Sequence, residues 1–406
     1  MRVAVVCPFL DRRHGTERCI VEQVERFAAQ QGAEIHLYSQ RVDDLANVVP
    51  YPDCSPGHIV WHRVPRIPGP HILGYIWWFA ANHVRRRWDA KIRGLKYDLT
   101  YSPGINAIDA DAISIHVVFE EFYRRNRAGL GFRNASIVRW PVILHRWLYY
   151  ALIRMLERRI YPDKRTALTG ISQHTADCAQ RLFQRDDVIV VRYGVDTTAF
   201  SRSVRLERRI SARAFFRIAS NDFCLLLIGN DWKSKGLDAL LKAMWACSEP
   251  KLRLLVVGTD DCRGYEEVVR KLNLDRQVQF CGSSSDVMQF YAAADAYVGP
   301  SLEDAYGLPI LEAMACGLPV IVSTRAGASE IVRDGENGLL VRGPEDSGEL
   351  AGLVRTLYAD GALRERLGEK AVQTASRETW DRNAVETWEF LKVVREKKLR
   401  SMNQVG

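Results

Sequence analysis

Pro300-Ser301-Leu302-Glu303-Asp304-Ala305-Tyr306-Gly307-Leu308-Pro309-Ile310-Leu311-Glu312-Ala313-Met314-Ala315-Cys316-Gly317-Leu318-Pro319-Val320-Ile321 reads as a strand end, a polar loop, a short helix, a glycine stop and the next strand. Asp295 to Val298 is short, apolar and β-prone, and Pro300 and Ser301 end it. Gly307 and Pro309 open a helix, because a proline in the first turn forfeits no hydrogen bond. Ile310, Leu311 and Met314 supply the apolar face and Gly317 the stop. Pro319 to Val322 is a buried-strand run. The helix therefore starts at the carboxyl end of a strand, where α/β sheets bind ligands. Free amides and a positive dipole end suit a phosphate there. Carboxylates at Asp304 and Glu312 would oppose a phosphate but suit sugar hydroxyls. The mixture points to a nucleotide sugar.

Asp304 and Glu312, with seven residues between them, resemble the acidic pair of the retaining GT-B glycosyltransferases. That family usually has two glutamates at this spacing, inside a Glu-Gly-Phe-Gly-Leu…Leu-Glu-Ala-Met-Ala-x-Gly-x-Pro-Val-Ile string. The likeness continues through Ala313 to Ile321. The departure is Asp304, whose carboxylate reaches about one C–C bond less far, so the resemblance implies an altered hexose contact. Glu303 is a substitute whose spacing is off by one. The bland alternative makes both acids ordinary solvated residues near a helix start.

The chain has 406 residues, 47% hydrophobic and 26% charged, which fits a globular protein of two or three domains. Nine cysteines with no Cys-x-x-Cys spacing argue against a disulfide framework and for a reducing compartment. Cys7, Cys224 and Cys281 sit in strand-like runs and read as small buried hydrophobes. Val3 to Leu10 is too short for a secretory signal, and Ile72 to Ala81 too short for a membrane span. The net charge of +8 is uneven: residues 1–165 carry 25 Lys and Arg against 16 Asp and Glu, the remainder 32 against 33. That asymmetry predicts an anionic partner for the first part only.

Met1 to Cys7 is a β-branched first strand, followed by His14-Gly15-Thr16-Glu17-Arg18 and a helix with Ile20, Val21, Val24 and Phe27 on one face. Gly32 ends the helix and Glu34 to Tyr38 is the second strand. No G-x-G-x-x-G occurs, so a dinucleotide fingerprint is absent. The loop is similar to the family's Gly-Gly-x-Glu-Arg with His14 for the first glycine, and the resemblance places Gly15 and Thr16 near donor phosphates and acceptor. The strand ending in His116 carries a histidine where relatives often do, and a neutral imidazole there is suited to a hexose hydroxyl. Asp109 is a candidate acceptor contact. Residues 71–93 join Tyr75, Trp77, Trp78 and Phe79 to Arg85, Arg86, Arg87, Lys91 and Arg93. Residues 119–160 repeat the theme with Phe122, Arg124, Arg125, Arg127, Phe132, Arg139, Trp140, Arg146, Trp147, Tyr149, Tyr150 and Arg154. Such helices either lie against anionic lipid or pack aromatics inward beneath a solvated arginine face. No nucleic-acid recognition motif is present.

Arg165 to Gly170 and Val188 to Val191 are further strands, and Ser172 caps the helix between them. Residues 201–213, charged and polar, read as the linker and entry to the second domain. The second half restarts at Phe223 to Gly229. The loop Gly229-Asn230-Asp231-Trp232-Lys233-Ser234-Lys235-Gly236 keeps the family's Lys-Gly spacing with Asn230 in place of arginine. This Gly-x-Asp-x-x-x-Lys-Gly form is similar in particular to bacterial lipopolysaccharide core glucosyltransferases. A lysine at a strand's carboxyl end suits a diphosphate, with Lys233 beside Lys235 as a second charge. The resemblance places Gly282 at the base edge of the nucleotide.

The expected fold is α/β, two Rossmann-like domains facing across a cleft in the GT-B arrangement. The expected divisions are 1–200, 201–377 and a C-terminal helix within 378–406 packing back on the first domain. The resemblance implies retaining, metal-independent transfer of a hexose, glucose from UDP-glucose first, to a glycan or anionic glycolipid hydroxyl such as lipopolysaccharide core. No cofactor beyond the nucleotide-sugar co-substrate is expected. The expected location is the cytoplasm, at the cytoplasmic face of the inner membrane. In that reading Glu312 holds the ribose diol. Lys235, Lys233 and the amides of Gly307 and Leu308 meet the diphosphate. Asn230 and Gly282 line the nucleotide, and Asp304 and His116 orient the sugar. A nucleotide-sugar epimerase of the same fold and a non-catalytic binding scaffold are the alternatives.

Overall fold

The computed structural model describes residues 1–50, 57–126 and 140–405. The chain divides into two units, Met1–Arg192 with Trp380–Gly406, and Tyr193–Thr379.

The first unit is built on strands β1 (Arg2–Val6), β2 (Phe9–Leu10), β3 (Glu34–Ser39), β4 (Arg41–Val42), β5 (Val48–Pro50), β6 (Ile59–Arg63), β7 (Leu99–Pro103), β8 (Ala112–Ile115), β9 (Ala167–Gly170) and β10 (Ile189–Val190). Eight of them form one parallel sheet in the order β10-β9-β8-β7-β1-β3-β6-β5, and β2 pairs with β4 apart from it. β1 is central because it is apolar throughout: Val3 lies opposite both Ile35 and Leu99. A parallel sheet needs helices on both faces, so such strands read as continuous hydrophobic runs. One face packs Val3 and Val5 on Ile20, Val24 and Phe27 of the helix Gly15–Gln31 and on Trp388 and Leu391 of the closing helix Trp380–Val405. Phe27 and Trp388 have ring centroids 5.1 Å apart. The other face packs Val6, Ile113 and Ile115 on Trp78 and Tyr161. Gly32, at φ 57°, ends the first helix in the left-handed conformation that glycine tolerates.

A buried polar chain crosses this unit. His36 Nδ1 lies 2.8 Å from His62 Nε2, His36 Nε2 2.8 Å from Glu34, and His62 Nδ1 2.9 Å from Asp89 of the helix His71–Ile92. The Tyr38 hydroxyl donates to Asp89 at 2.9 Å, and Arg85 and Arg93 hold the same carboxylate. Burial lowers the pKa of both histidines, His62 to about 4.

The second unit repeats the plan with β11 (Phe223–Ile228), β12 (Leu252–Val257), β13 (Val278–Phe280), β14 (Ala296–Gly299), β15 (Val320–Ser323) and β16 (Leu339–Val341). These form a parallel sheet ordered β13-β12-β11-β14-β15-β16. Leu225, Leu227, Leu254 and Val256 meet Leu240, Leu241 and Met244 in its core.

Two expectations are corrected. Residues 202–215 are a helix, Arg202–Phe215, capped by the Ser201 side chain, and not a linker. Its arginines are structural: Arg209 and Arg213 clamp Asp295 at 2.5 and 3.0 Å, and Arg205 donates to the Cys316 carbonyl at 2.7 Å. The division also falls at Arg192/Tyr193, earlier than 200/201. Tyr193 meets Tyr306 in a tilted contact with ring centroids 4.7 Å apart and Phe200 meets Tyr291 at 5.7 Å, so residues 193–200 are packed into the second unit. The closing helix begins at Trp380 and belongs to the first unit.

Candidate functional site

In the second unit the connections leaving β11 run to β12 and β13 on one side, while β14, β15 and β16 lie on the other. The β11/β14 boundary is therefore the topological switch point, where open α/β sheets bind ligands at their carboxyl ends. The loops 229–236 and 300–307 leave those two ends. Gly236, at φ 79°, lies so close to Pro300 that an added Cβ would sit 2.1 Å from its carbonyl oxygen. Leu302 N–H donates to Ser234 O at 2.8 Å, which fastens the loops together. A Cβ on Gly229 would meet the Lys235 stem at 2.8 Å, so the lysine lies flat across that glycine. Its ammonium reaches Asp304 at 2.5 Å, with side-chain exposures of 22% and 15%. Asp304 is thus an acid at the lysine.

Gly307, at φ 91°, then starts the helix Leu308–Ala315 with Pro309 in its first turn and no side-chain cap. Among the described residues no side chain caps its amino end, which leaves those amides open to a ligand's oxygens. Glu312 lies inside the helix, 5% exposed, and accepts a hydrogen bond from the Tyr291 hydroxyl at 2.7 Å. Burial first, then the neighbouring Glu312 charge, raises the Tyr291 pKa, so the phenol stays a donor. Tyr291 sends no local signal in the sequence, and only the fold brings it to Glu312.

The remaining nucleotide-side residues are arranged around the neighbouring strand ends. Asn230 Oδ1 accepts from the Thr259 N–H at 2.9 Å and its hydroxyl at 3.0 Å, so this side chain braces the loops after β11 and β12. Gly282, φ 65°, follows β13, and its carbonyl accepts from Gly258 N–H at 3.0 Å. Trp232 is buried beneath these loops against Phe280, with centroids 5.2 Å apart. Lys233 is exposed. The structure thus pairs Lys235 with Asp304 beside Gly307, where the helix starts, with Glu312 buried further along that helix and Asn230 and Gly282 on adjoining loops.

His116, Gly15 and Thr16 belong to the first unit. His116 follows β8, is 5% exposed, and is pushed down to about 3 by burial, so its imidazole is neutral. His116 and Thr16 line a cavity of about 460 Å³, and Gly15 begins the helix beside it. Asp11, not singled out above, is buried in that wall. It accepts from the N–H groups of Arg13 at 2.8 Å and His14 at 3.0 Å and holds the His14 ring at 2.9 Å. Burial pushes its pKa up, but the hydrogen bonds from His14 and the backbone outweigh that and leave it lowered. An aspartate two and three residues before amides it can accept from is a turn signature visible in sequence. Asp109 is paired with Arg86 at 2.6 Å, with 43% of its side chain exposed.

The basic aromatic stretches form the helices His71–Ile92, Phe119–Asn126 and Trp140–Ile160. They carry both buried and exposed rings. Trp78 is buried, whereas Leu73, Ile76, Trp77, Val84, Trp140 and Trp147 are exposed. Arg85 and Arg93 lie over the exposed Trp88 ring at 5.5 and 4.7 Å. Arg127, Phe132, Arg139 and the side chain of Arg125 lie outside the described residues. Among the described residues no helix is long and apolar enough to cross a membrane, and no group of three His, Cys, Asp or Glu is placed to hold a metal ion.

Two α/β units with parallel sheets define the fold class of the GT-B glycosyltransferases. The fold matches the crystal structure of WaaG, a glycosyltransferase involved in lipopolysaccharide biosynthesis, at TM-score 0.72 and 20% identity, over 95% of this chain and 98% of that one. It also matches Anabaena Alr3699/HepE in complex with UDP and glucose, at TM-score 0.69 and 20% identity, over 97% of this chain and 100% of that one. Residues 209–374 match the family described as Glycosyl transferases group 1, and this stretch is a domain of that family. Over 151 residues the chain is 32% identical to the lipopolysaccharide glucosyltransferase WaaG of Escherichia coli K12, covering 36% of this chain and 40% of that protein. The chain spans about half the length of the curated relatives it matches.

Proposed function

We propose that this chain is a retaining, metal-independent hexosyltransferase that moves glucose from UDP-glucose to a hydroxyl of a surface glycan or glycolipid, such as lipopolysaccharide core, at the cytoplasmic face of the inner membrane. The observation that carries the reading is the Lys235–Asp304 pair beside the helix start at Gly307, at the β11/β14 switch point, with Glu312 further along the same helix. The similarity to E. coli WaaG and the UDP and glucose bound to HepE support the donor assignment.

In this reading the donor's diphosphate displaces Asp304 from the Lys235 ammonium. Lys235, Lys233 and the amides of Gly307 and Leu308 then neutralise the UDP that departs. Glu312, oriented by Tyr291, accepts from the ribose diol, since ionised carboxylates accept strongly. Asp304, released from the lysine, turns to the hexose hydroxyls. Withdrawing one such donor from a preorganised site costs about 3–4 kcal/mol of transition-state stabilisation.

The test is direct. UDP-glucose should stabilise the protein to heat more than GDP-mannose does, because a ligand bound only to the native state raises Tm by mass action. Slow UDP-glucose hydrolysis should persist in EDTA and vanish in Lys235→Ala. Activity lost in EDTA overturns the metal-independent reading, and no response to any UDP-sugar overturns the donor reading. Binding to anionic liposomes that weakens with salt supports the membrane location, and no binding at low salt excludes it.

A further inference from the structure

The cavity of about 460 Å³ in the first unit has a mixed lining, with Thr16, Glu17, Arg66 and His116 beside a larger share of rings and aliphatic groups. It lies at that unit's own switch point, because β3 and β7 flank β1 on opposite sides and its walls include Pro8, Pro103 and His116 from the ends of β1, β7 and β8. A carbohydrate subsite needs uncommitted polar groups to replace water on every hydroxyl. Here two of the polar groups are committed within the wall. Asp11 is held by His14 and two backbone amides, and the Tyr75 hydroxyl donates to the Ile105 carbonyl at 2.7 Å. Tyr75 and Tyr149 are packed edge to face, 5.7 Å between centroids, and burial raises both phenols, Tyr149 to about 12. What these residues offer the cavity, with Trp78, Ile105 and Ile153, is ring and methyl surface. Its volume falls in the range of pockets that enclose a small apolar ligand with few polar groups.

We infer that this cavity binds the apolar moiety of an amphiphilic acceptor, an alkyl or isoprenoid chain, with the hydroxyl-bearing head toward Thr16 and His116. The inference rests on the glycosyltransferase reading for the word acceptor, and on the cavity alone for the chemistry of the ligand. The helix His71–Ile92 supports it twice. Gly74, Tyr75 and Trp78 face the cavity, while Leu73, Ile76 and Trp77 of the same turns are exposed. A helix apolar on both faces buries an amphiphile on one while meeting the apolar layer that delivers it on the other.

Gly74 provides the test. It lines the cavity from a helix, and a Cβ built on it meets nothing within 4 Å, so Gly74→Leu fills the space without a backbone clash. Methyl, butyl, hexyl and octyl β-glucosides, each below its micelle-forming concentration, are titrated calorimetrically into the full chain. Affinity should rise about fourfold per added methylene, with heat-capacity change growing more negative along the series. In Gly74→Leu octyl glucoside should bind at least tenfold more weakly than in the wild type. Because Gly74 and Lys235 lie in different units, an unchanged calorimetric unfolding profile of the full chain reports that the variant is folded. A second variant, Tyr149→Ala, enlarges the cavity and should shift the optimum to a longer chain. Equal affinity across the series, or octyl binding unchanged in Gly74→Leu, overturns the inference. A wild-type chain that binds octyl glucoside but no UDP-sugar overturns the donor reading and keeps the cavity assignment.

Discussion

The two units share a parallel sheet and a switch point, and differ in what stands at it. In the second unit the strand ends carry glycines, a lysine and carboxylates, and the close approach of Gly236 to Pro300 draws two loops into one polar crevice. In the first unit the same position holds a cavity lined by Tyr75, Trp78, Tyr149 and Ile153. The fold decides where a ligand goes. The loop and helix residues decide whether that ligand is charged or oily.

The comparison breaks first at Lys235. Lys235→Ala should lower turnover by about 10²–10³-fold while leaving Tm within about 2 °C, because one partly exposed pair contributes under about 1 kcal/mol to stability. A loss of folding instead would make the Lys235–Asp304 pair structural. Next is Gly236→Ala, which forces a Cβ against the Pro300 carbonyl at positive φ. It should cost about 2–3 kcal/mol in denaturant midpoint and weaken UDP binding, whereas Gly74→Ala in the first unit should be silent or slightly stabilising. An unchanged midpoint would mean that the loops part readily.

A pH titration separates the units further. His62, lowered to about 4, and His36, also lowered by burial, are neutral when folded and titrate near 6.5 when unfolded. Between those values the unfolded chain binds more protons, so their contribution is complete above about pH 6.5 and lost as pH falls toward 4. Differential scanning calorimetry from pH 7.5 to 5 should show the first unit losing stability, and His62→Gln should flatten the slope. The smallest effect expected is Tyr291→Phe. Deleting the hydroxyl that orients Glu312 should raise the donor KM about threefold to tenfold with kcat nearly unchanged, a loss of about 1 kcal/mol.

Much of this was legible locally. The strand at Val320, the helix opened by Gly307 and Pro309 and the stop at Gly32 follow from short-range periodicity and backbone sterics. Arg202–Phe215 was hidden because its arginines look solvated in sequence, yet they serve Asp295 and the Cys316 carbonyl, more than eighty residues away. For the same reason the Lys235–Asp304 and Tyr291–Glu312 contacts, 69 and 21 residues apart in sequence, were invisible as contacts, although three of the four residues stood out by type. The cavity was hidden in another way. Aromatic and basic residues alternate along residues 71–93, and sequence periodicity does not say which rings enclose a space.

Residues 193–379 form one uninterrupted stretch, whereas the first unit is assembled from two pieces of chain. Val195 pairs with Thr379 as parallel bridge partners, and its N–H donates to the Glu378 carbonyl at 2.9 Å, so the stretch begins and ends at neighbouring points. A single recombination cassette can therefore exchange the whole polar crevice in one step, while replacing the oily cavity requires two coordinated exchanges. Under the proposed function, a new donor specificity is reached by one exchange and a new acceptor specificity by two.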